Sequence, residues 1–150
     1  VMRCSALTNG TMTPVEAILD YWKRDGVALN EGASSAQLQV LEEMLGTQLP
    51  DDVKEFYSRA DGMPDNEYDS HVVSFWSISK MCDERGKWGD DQLGFADFLI
   101  DSFRFIFHPF EGSLVIVSDA GGTENPLEKY GSFAEFLDLY LHKPEQLPIL

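Results

Sequence analysis

The sequence predicts an α+β domain built around an antiparallel sheet. Helical patterns come first, strand-like patterns fill residues 72–117, and one further helical pattern closes the chain before Pro144. Strands and helices do not alternate as they would in a parallel sheet, and helices grouped apart from strands are typical of α+β proteins. At 150 residues and 43% hydrophobic, the chain is sufficient for one packed domain. We therefore expect a flexible N-terminus over residues 1–12 and a single domain over residues 13–150.

The first helix is predicted from its start and stop signals. Thr13 can act as the cap, Pro14 suits the first helical position, and Glu16 can complete a capping box. Apolar residues then recur at helical spacing as far as Trp22, and Gly26 is the natural stop.

Two shorter helices follow it. Ser34 or Ser35 can cap the second helix, which ends at Gly46. Pro50 opens the third helix, the two acids after it face the positive end of the helix dipole, and Gly62 closes it. Because only a short link separates these helices, they are expected to form a compact hairpin or corner.

The middle of the chain changes to strand-like periods. We predict a strand over 72–76, a short helix over 77–85, a charged loop over 86–92, two antiparallel strands within 93–108, a strand over 114–117 and a turn over 119–126. A last helix starts at Ser132, which can form a capping box with Glu135, and runs to about residue 141.

The charge of the chain restricts its partners. Eleven Lys and Arg against 26 Asp and Glu leave a formal charge of −15, which disfavours direct binding of DNA or RNA. Such a surface can serve solubility alone, or it can attract a basic partner. Nine acids and two bases fall within residues 42–69. The acids are Glu42, Glu43, Asp51, Asp52, Glu55, Asp61, Asp65, Glu67 and Asp69.

Compartment and membrane signals are simple. Cys4 and Cys82 are too few for a disulfide framework or a zinc site and suit a reducing compartment. No apolar run is long enough to span a membrane, and the N-terminus has no signal-peptide pattern. A soluble, cytoplasmic protein without membrane contact is expected.

No motif for catalysis or for a cofactor is present. Gly121-Gly122 lacks the spacing and the lysine of a nucleotide loop, and the histidines at positions 71, 108 and 142 have no partner at ligand spacing. Asp65, Glu67 and Asp69 could begin a calcium loop, but the later positions of that pattern fail, so a solvated turn is favoured. The prediction is no enzyme, no metal and no cofactor.

The pattern of aromatic residues does not decide whether Trp76 is exposed or buried. Phenylalanines from Phe75 to Phe107 mostly alternate as core residues should. If Phe75 points inward, Trp76 points to the opposite face of its strand. There it is either a half-exposed binding anchor or, the favoured reading, packed under a neighbouring helix.

Four segments, in order, resemble the SUKH superfamily, also called Smi/Knr-like. Residues 41–56, LEEMLGTQLPDDVKEF, with Asp61-Gly62 after them, resemble its N-terminal signature. Phe75-Trp76 resembles its tryptophan-bearing strand, residues 94–99, GFADFL, its central strand, and residues 132–137, SFAEFL, its terminal helix. The resemblance covers roughly residues 35–142.

The resemblance implies a curved antiparallel β-sheet flanked by helices, and no catalysis. It also implies protein binding: bacterial members are mostly immunity proteins that neutralise a toxin domain, often a nuclease, and fungal relatives are regulatory scaffolds. The signature residues are mainly caps and core positions, so they identify the fold rather than a binding site.

The first hypothesis is therefore an immunity protein for a basic toxin, acting as a monomer or a weak homodimer. Exposed strand edges around residues 94–117 could permit such dimers. A regulatory scaffold is the alternative, and an enzyme or small-molecule binder is a third. The candidate partner-binding residues are Asp65, Glu67, Tyr68, Asp69, Trp76, Trp88, Asp90 and Asp91.

Overall fold

The fold places five helices around one antiparallel sheet in the described part of the chain. A computed structural model describes residues 12–85, 93–98, 103–110, 113–119 and 128–147. The helices are α1 (Pro14–Arg24), α2 (Ser35–Leu45), α3 (Asp51–Arg59), α4 (Ile78–Glu84) and α5 (Phe133–His142), followed by a 3₁₀ turn (Pro144–Gln146). The strands are β1 (Val73–Phe75), β2 (Leu93–Phe98), β3 (Phe103–Phe110), β4 (Ser113–Asp119) and β5 (Glu128–Tyr130). The predicted α+β class is confirmed.

The helix starts follow the predicted chemistry. Thr13 accepts the backbone N–H of Glu16 at 3.1 Å while the Glu16 carboxyl accepts the N–H of Thr13 at 2.9 Å, which is a complete capping box. Ser34 caps α2 in the same way. Gly46 ends α2 with a φ of 73°, and the Glu42 carboxyl accepts the Leu49 N–H at 2.9 Å. That bond holds the corner between α2 and α3.

The sheet order is β1-β2-β3-β4-β5, and each strand is antiparallel to its neighbours. β2, β3 and β4 each have a strand on both sides, although β5 pairs only with residues 116–118 of β4. The expectation of exposed edges around residues 94–117 is therefore wrong for β2 and β3. The edges are β1 and β5, and β5 is a strand that the sequence did not predict. Met63 and Asp69 donate backbone N–H groups to the outer side of β1, at 2.7 Å to Phe75 and 3.0 Å to Val73.

One face of the sheet packs on helices through aromatic rings. Phe95 stacks on Phe107 with ring centroids 4.2 Å apart, and Phe105 meets Phe136 of α5 at 4.7 Å. Trp22 of α1 reaches Phe75 at 4.8 Å. Aromatic pairs at these distances add stabilisation beyond the apolar area that they bury. A register shift between Gly94 and Ala96 lets Phe95 join this face.

Some predictions lie outside the described residues. They are the flexible segment up to residue 11, the charged loop over 86–92 and the turn at Gly121-Gly122. The binding candidates Trp88, Asp90 and Asp91 belong to that loop. Among the described helices, none is long and apolar enough to cross a membrane.

Candidate functional site

The candidate site is built on the loop between α3 and β1, residues 64–72, which we call the 64–72 loop. It carries four of the predicted binding residues, and it separates them into two groups. Asp65, Glu67 and Tyr68 are exposed, with Tyr68 at 52% exposure, whereas Asp69 is only 4% exposed. The loop thus turns one acid inward and presents the others.

Asp69 is an anchor rather than a contact residue, which corrects its place in the predicted surface. Its carboxyl accepts the Trp22 indole N–H at 3.0 Å and the hydroxyl of Tyr140. The other oxygen accepts the backbone N–H of His71 at 2.9 Å and that of Val73 at 3.2 Å. One buried side chain therefore ties α1, α5 and β1 to the 64–72 loop.

The backbone of the loop is constrained as well. Asn66 has a φ of 70° and Val72 a φ of 61°. The left-handed region is tolerated by asparagine but is costly for a β-branched residue such as valine. Val72 keeps this conformation while its N–H donates to the Asp69 carbonyl at 3.0 Å. The exposed residues therefore sit on a loop with a defined shape.

Trp76 is 1% exposed, so it is not a half-exposed anchor and the packed reading is confirmed. Its indole N–H donates to Asp97 on β2, and its ring lies where a side chain at Gly94 would clash, 3.0 Å from that Cβ position. The Lys80 ammonium of α4 lies 5.2 Å from the ring centroid, a cation–π contact. Trp76 is therefore a buried residue that contacts the Asp97 and Lys80 side chains.

A cavity of about 150 Å³ opens between the 64–72 loop, the outer face of the sheet and α4. Its walls are Asn66, Glu67, Tyr68, Val72, Ser74, Lys80 and Asp97. Ser74 and Asp97 are Cα partners across β1 and β2, so both point to the face opposite Phe75. Among the described residues, the structure thus brings Glu67 and Tyr68 together with five residues that sequence reasoning missed. Strand alternation could have placed Ser74 on this face, but no local pattern indicates Lys80 or Asp97.

Most acids of residues 42–69 have structural duties. Five of the nine accept specific hydrogen bonds. They are Glu42, Asp52, Glu55, Asp61 and Asp69. Asp52 accepts the N–H of Ala134 at 2.8 Å and Asp61 that of Ile78 at 2.9 Å, so both serve the first turns of distant helices. Part of the acidity that suggested a binding surface therefore serves to stabilise the fold.

Three buried groups have altered acidity, and none lines the cavity. Burial raises the pKa of Tyr57 well above its usual value, and the charge of Asp61 adds to that effect. Burial, and then the charge of Asp69, raises the pKa of Tyr140. Burial also raises the pKa of Asp61, partly opposed by the bond from Ile78. These shifts belong to the core that supports the site.

The described residues show no arrangement that suggests a metal centre. No group of three His, Cys, Asp or Glu side chains in this part of the chain could hold an ion. Because Asp69 is turned inward, it does not share a site with Asp65 and Glu67. His71 packs edge-on against Tyr140 at 5.3 Å, and His142 contacts Asp138 at 3.2 Å on the surface.

The chain was also compared with known proteins. The family model described as SMI1 / KNR4 family (SUKH-1) matches residues 32–139. A search of curated proteins found no match. The matched span includes the 64–72 loop and the whole wall of the cavity.

Proposed function

The chain belongs to the SMI1/KNR4 (SUKH-1) family, and from this premise we propose that it is a non-catalytic protein-binding domain, more specifically an immunity protein that neutralises a basic toxin. The observation that carries the binding role is the 64–72 loop. It presents Tyr68, 52% exposed, together with the exposed acids Asp65 and Glu67. Tyrosine is among the residues that most often dominate binding energy at interfaces.

The charge supports the choice of a basic partner. The chain carries a formal charge of −15, and opposite charge accelerates the encounter of two proteins in a salt-dependent way. A toxin that acts on nucleic acid needs a basic surface, which an acidic inhibitor can cover. In this proposal the protein works in the cytoplasm, where the toxin would act, as a monomer or a weak homodimer.

A regulatory scaffold is the second candidate, and one observation favours it. Five of the nine acids in residues 42–69 are engaged in the fold, so part of the local charge needs no partner to explain it. A scaffold would bind a cellular enzyme or assembly factor and would not depend on salt to the same degree.

The test is capture of partners from native lysate with tagged protein, followed by stepwise elution with salt. Identification of a basic toxin domain, and rescue of growth when both proteins are co-expressed, would support the proposal. Exclusive recovery of neutral cellular partners would favour the scaffold. Failure of co-expression to rescue growth from the captured toxin would contradict neutralisation.

Paired variants then assign the surface. Asp65→Lys with Glu67→Lys should lower the association rate about tenfold at low salt and leave dissociation nearly unchanged. The control pair, Asp25→Lys with Glu43→Lys, changes the net charge by the same amount at exposed positions away from the loop. Asp25 follows the last residue of α1, and Glu43 lies in α2. Equal effects of the two pairs would show that overall charge, rather than this loop, governs association.

A further inference from the structure

We propose that Asp25-Gly26, at the end of α1, is a site of spontaneous isoaspartate formation in the folded protein. The sequence contains two Asp-Gly steps, Asp25-Gly26 and Asp61-Gly62. Glycine after aspartate favours this reaction because it carries no Cβ to hinder its own nitrogen. The structure exposes the first step and encloses the second. The modification does not depend on the proposed function.

The reaction balances with water alone. The Gly26 nitrogen forms a bond to the Asp25 Cγ, and the carboxyl hydroxyl leaves with the amide proton as water. A second water molecule then adds to the main-chain carbonyl carbon of Asp25 and breaks its bond to the Gly26 nitrogen. The product joins residue 26 through Cβ and Cγ, so the backbone gains one methylene group and an α-carboxylate is released.

At the end of α1 the nitrogen and the carboxyl can meet. Lys23, Arg24, Asp25 and Gly26 are all exposed, and only chain neighbours lie within 4 Å of the position where Gly26 would carry a Cβ. The Asp25 carboxyl makes no hydrogen bond or ion pair with any residue that the structure describes. The Gly26 N–H donates to the Lys23 carbonyl at 3.3 Å, a long bond at a helix end, where opening costs little. Fraying of this turn frees the Asp25 ψ, 1° in the structure, to bring the two groups together.

The second step is enclosed and serves as an internal control. Asp61 is 8% exposed, and its carboxyl accepts the Ile78 N–H at 2.9 Å. A Cβ at Gly62 would lie 2.4 Å from the Trp76 carbonyl oxygen, so the backbone there has little room to turn. Reaction at Asp61-Gly62 therefore requires the packed core to open, which costs far more than fraying of a helix end.

The added methylene group falls inside the structure that closes α1. The Val27 N–H donates across this step to the Trp22 carbonyl at 2.9 Å, the long-range bond of a Schellman motif. Lengthening the backbone between residues 25 and 26 should displace that bond. The indole N–H of the same Trp22 donates to Asp69 at 3.0 Å. Isoaspartate at residue 25 should therefore loosen the anchor of the 64–72 loop.

The experiment is prolonged incubation of the full chain under native conditions, followed by trypsin digestion, chromatography and fragmentation mass spectrometry. Trypsin places the two steps in different peptides, residues 25–54 and residues 60–80. The first peptide should acquire an isoaspartyl form of equal mass and different elution at least about tenfold faster than the second. In urea-unfolded chain the two rates should approach each other, because only the folded structure distinguishes the steps.

Variants test the chemistry and its consequence. Asp25→Glu keeps the charge but cannot close a ring of the same size, so its peptide should stay unmodified. Asp25→Asn closes the same ring with loss of ammonia and should form isoaspartate faster than the parent. The separated isoaspartyl form of the parent should show a displaced NMR signal of the Trp22 indole and a urea midpoint lower by about 0.5–1 M. Incubated Asp25→Glu should show neither change.

Two results would overturn the proposal. One is equal rates at the two steps in the folded protein. The other is the absence of isoaspartate at residue 25 in both the parent and Asp25→Asn, which would show that the end of α1 does not open. An isoaspartyl form with an unchanged Trp22 signal and urea midpoint would refute the effect on the 64–72 loop.

Discussion

Removal of the Asp69 carboxyl tests whether the site depends on one buried anchor. Asp69→Ala leaves the Trp22 indole, the Tyr140 hydroxyl and the backbone N–H of Val73 without their acceptor. Each buried donor left unsatisfied costs about 1–3 kcal/mol. Because water can enter the space left behind, we expect a loss near the lower end of the sum, about 3–5 kcal/mol. That is a large share of the roughly 5–15 kcal/mol that stabilises an ordinary domain.

The assay is urea unfolding followed by tryptophan fluorescence. A loss of about 3–5 kcal/mol should lower the midpoint by about 1.5–2.5 M at an unchanged slope. Asp69→Asn keeps the shape and one acceptor oxygen, so it should cost less than Asp69→Ala. Tyr140→Phe removes a single donor and should cost about 1 kcal/mol. Asp65→Ala, on the exposed side of the same loop, should stay within about 0.5 kcal/mol of the parent.

A cost below about 1 kcal/mol for Asp69→Ala, or a cost equal to that of Asp65→Ala, would refute the anchor. If Asp69→Ala does not fold, Asp69→Asn and Tyr140→Phe still decide the question. Partner binding gives a second readout. Loosening the loop that presents Tyr68 should weaken binding even though Asp69 does not reach the surface.

Other predictions address the core around the site. The raised pKa of Asp61 means that the native state holds this proton more tightly than the unfolded chain does, so stability falls as pH rises from the ordinary aspartate range through the raised pKa. Asp61→Asn keeps an acceptor for the Ile78 N–H at the start of α4, and it should abolish this pH dependence of stability in unfolding measured across the acid range. Asp61→Ala removes that acceptor and should lower the free energy of unfolding by about 1 kcal/mol. The raised pKa values of Tyr57 and Tyr140 change stability in the same direction, so the free energy of unfolding should fall as pH rises above about 10. Ultraviolet titration should show that both phenols ionise only when the protein unfolds. Gly62→Ala places a Cβ 2.4 Å from a backbone oxygen at the end of β1, at a φ of 65°, and should cost at least about 2 kcal/mol in urea unfolding. Gly46→Ala, at a φ of 73° with open space, should cost only about 1 kcal/mol, and equal costs would show that the predicted clash relaxes.

The helices were readable from the sequence because their signals are local. Thr13, Ser34 and Ser132 cap as predicted, and Gly46 ends α2 in the left-handed conformation. A cap and the N–H groups that it accepts lie within one turn of each other, so a few neighbouring residues determine the outcome. The order of helices and strands followed from the same local patterns.

The candidate site could be predicted only in part. The sequence pointed to Glu67 and Tyr68, which do line the cavity, but it gave Asp69 the same status. Alternating acids in a turn look equivalent, and only the position of Trp22 and Tyr140 decides which of them is buried. Residues 86–92, with three of the eight predicted binding residues, lie outside the described part of the chain, and their role stays a prediction.

By itself, the sequence determined the α+β class, the capped helix starts, the family resemblance and the acidic character of this protein. The tertiary structure alone decided which acids are free to meet a partner, which strands form the edges of the sheet, and that Ser74 and Lys80 share a cavity with Glu67. The reason is physical. Caps and periodicity are short-range interactions, whereas burial of a charge, an edge or a hydroxyl depends on which distant segments pack against it.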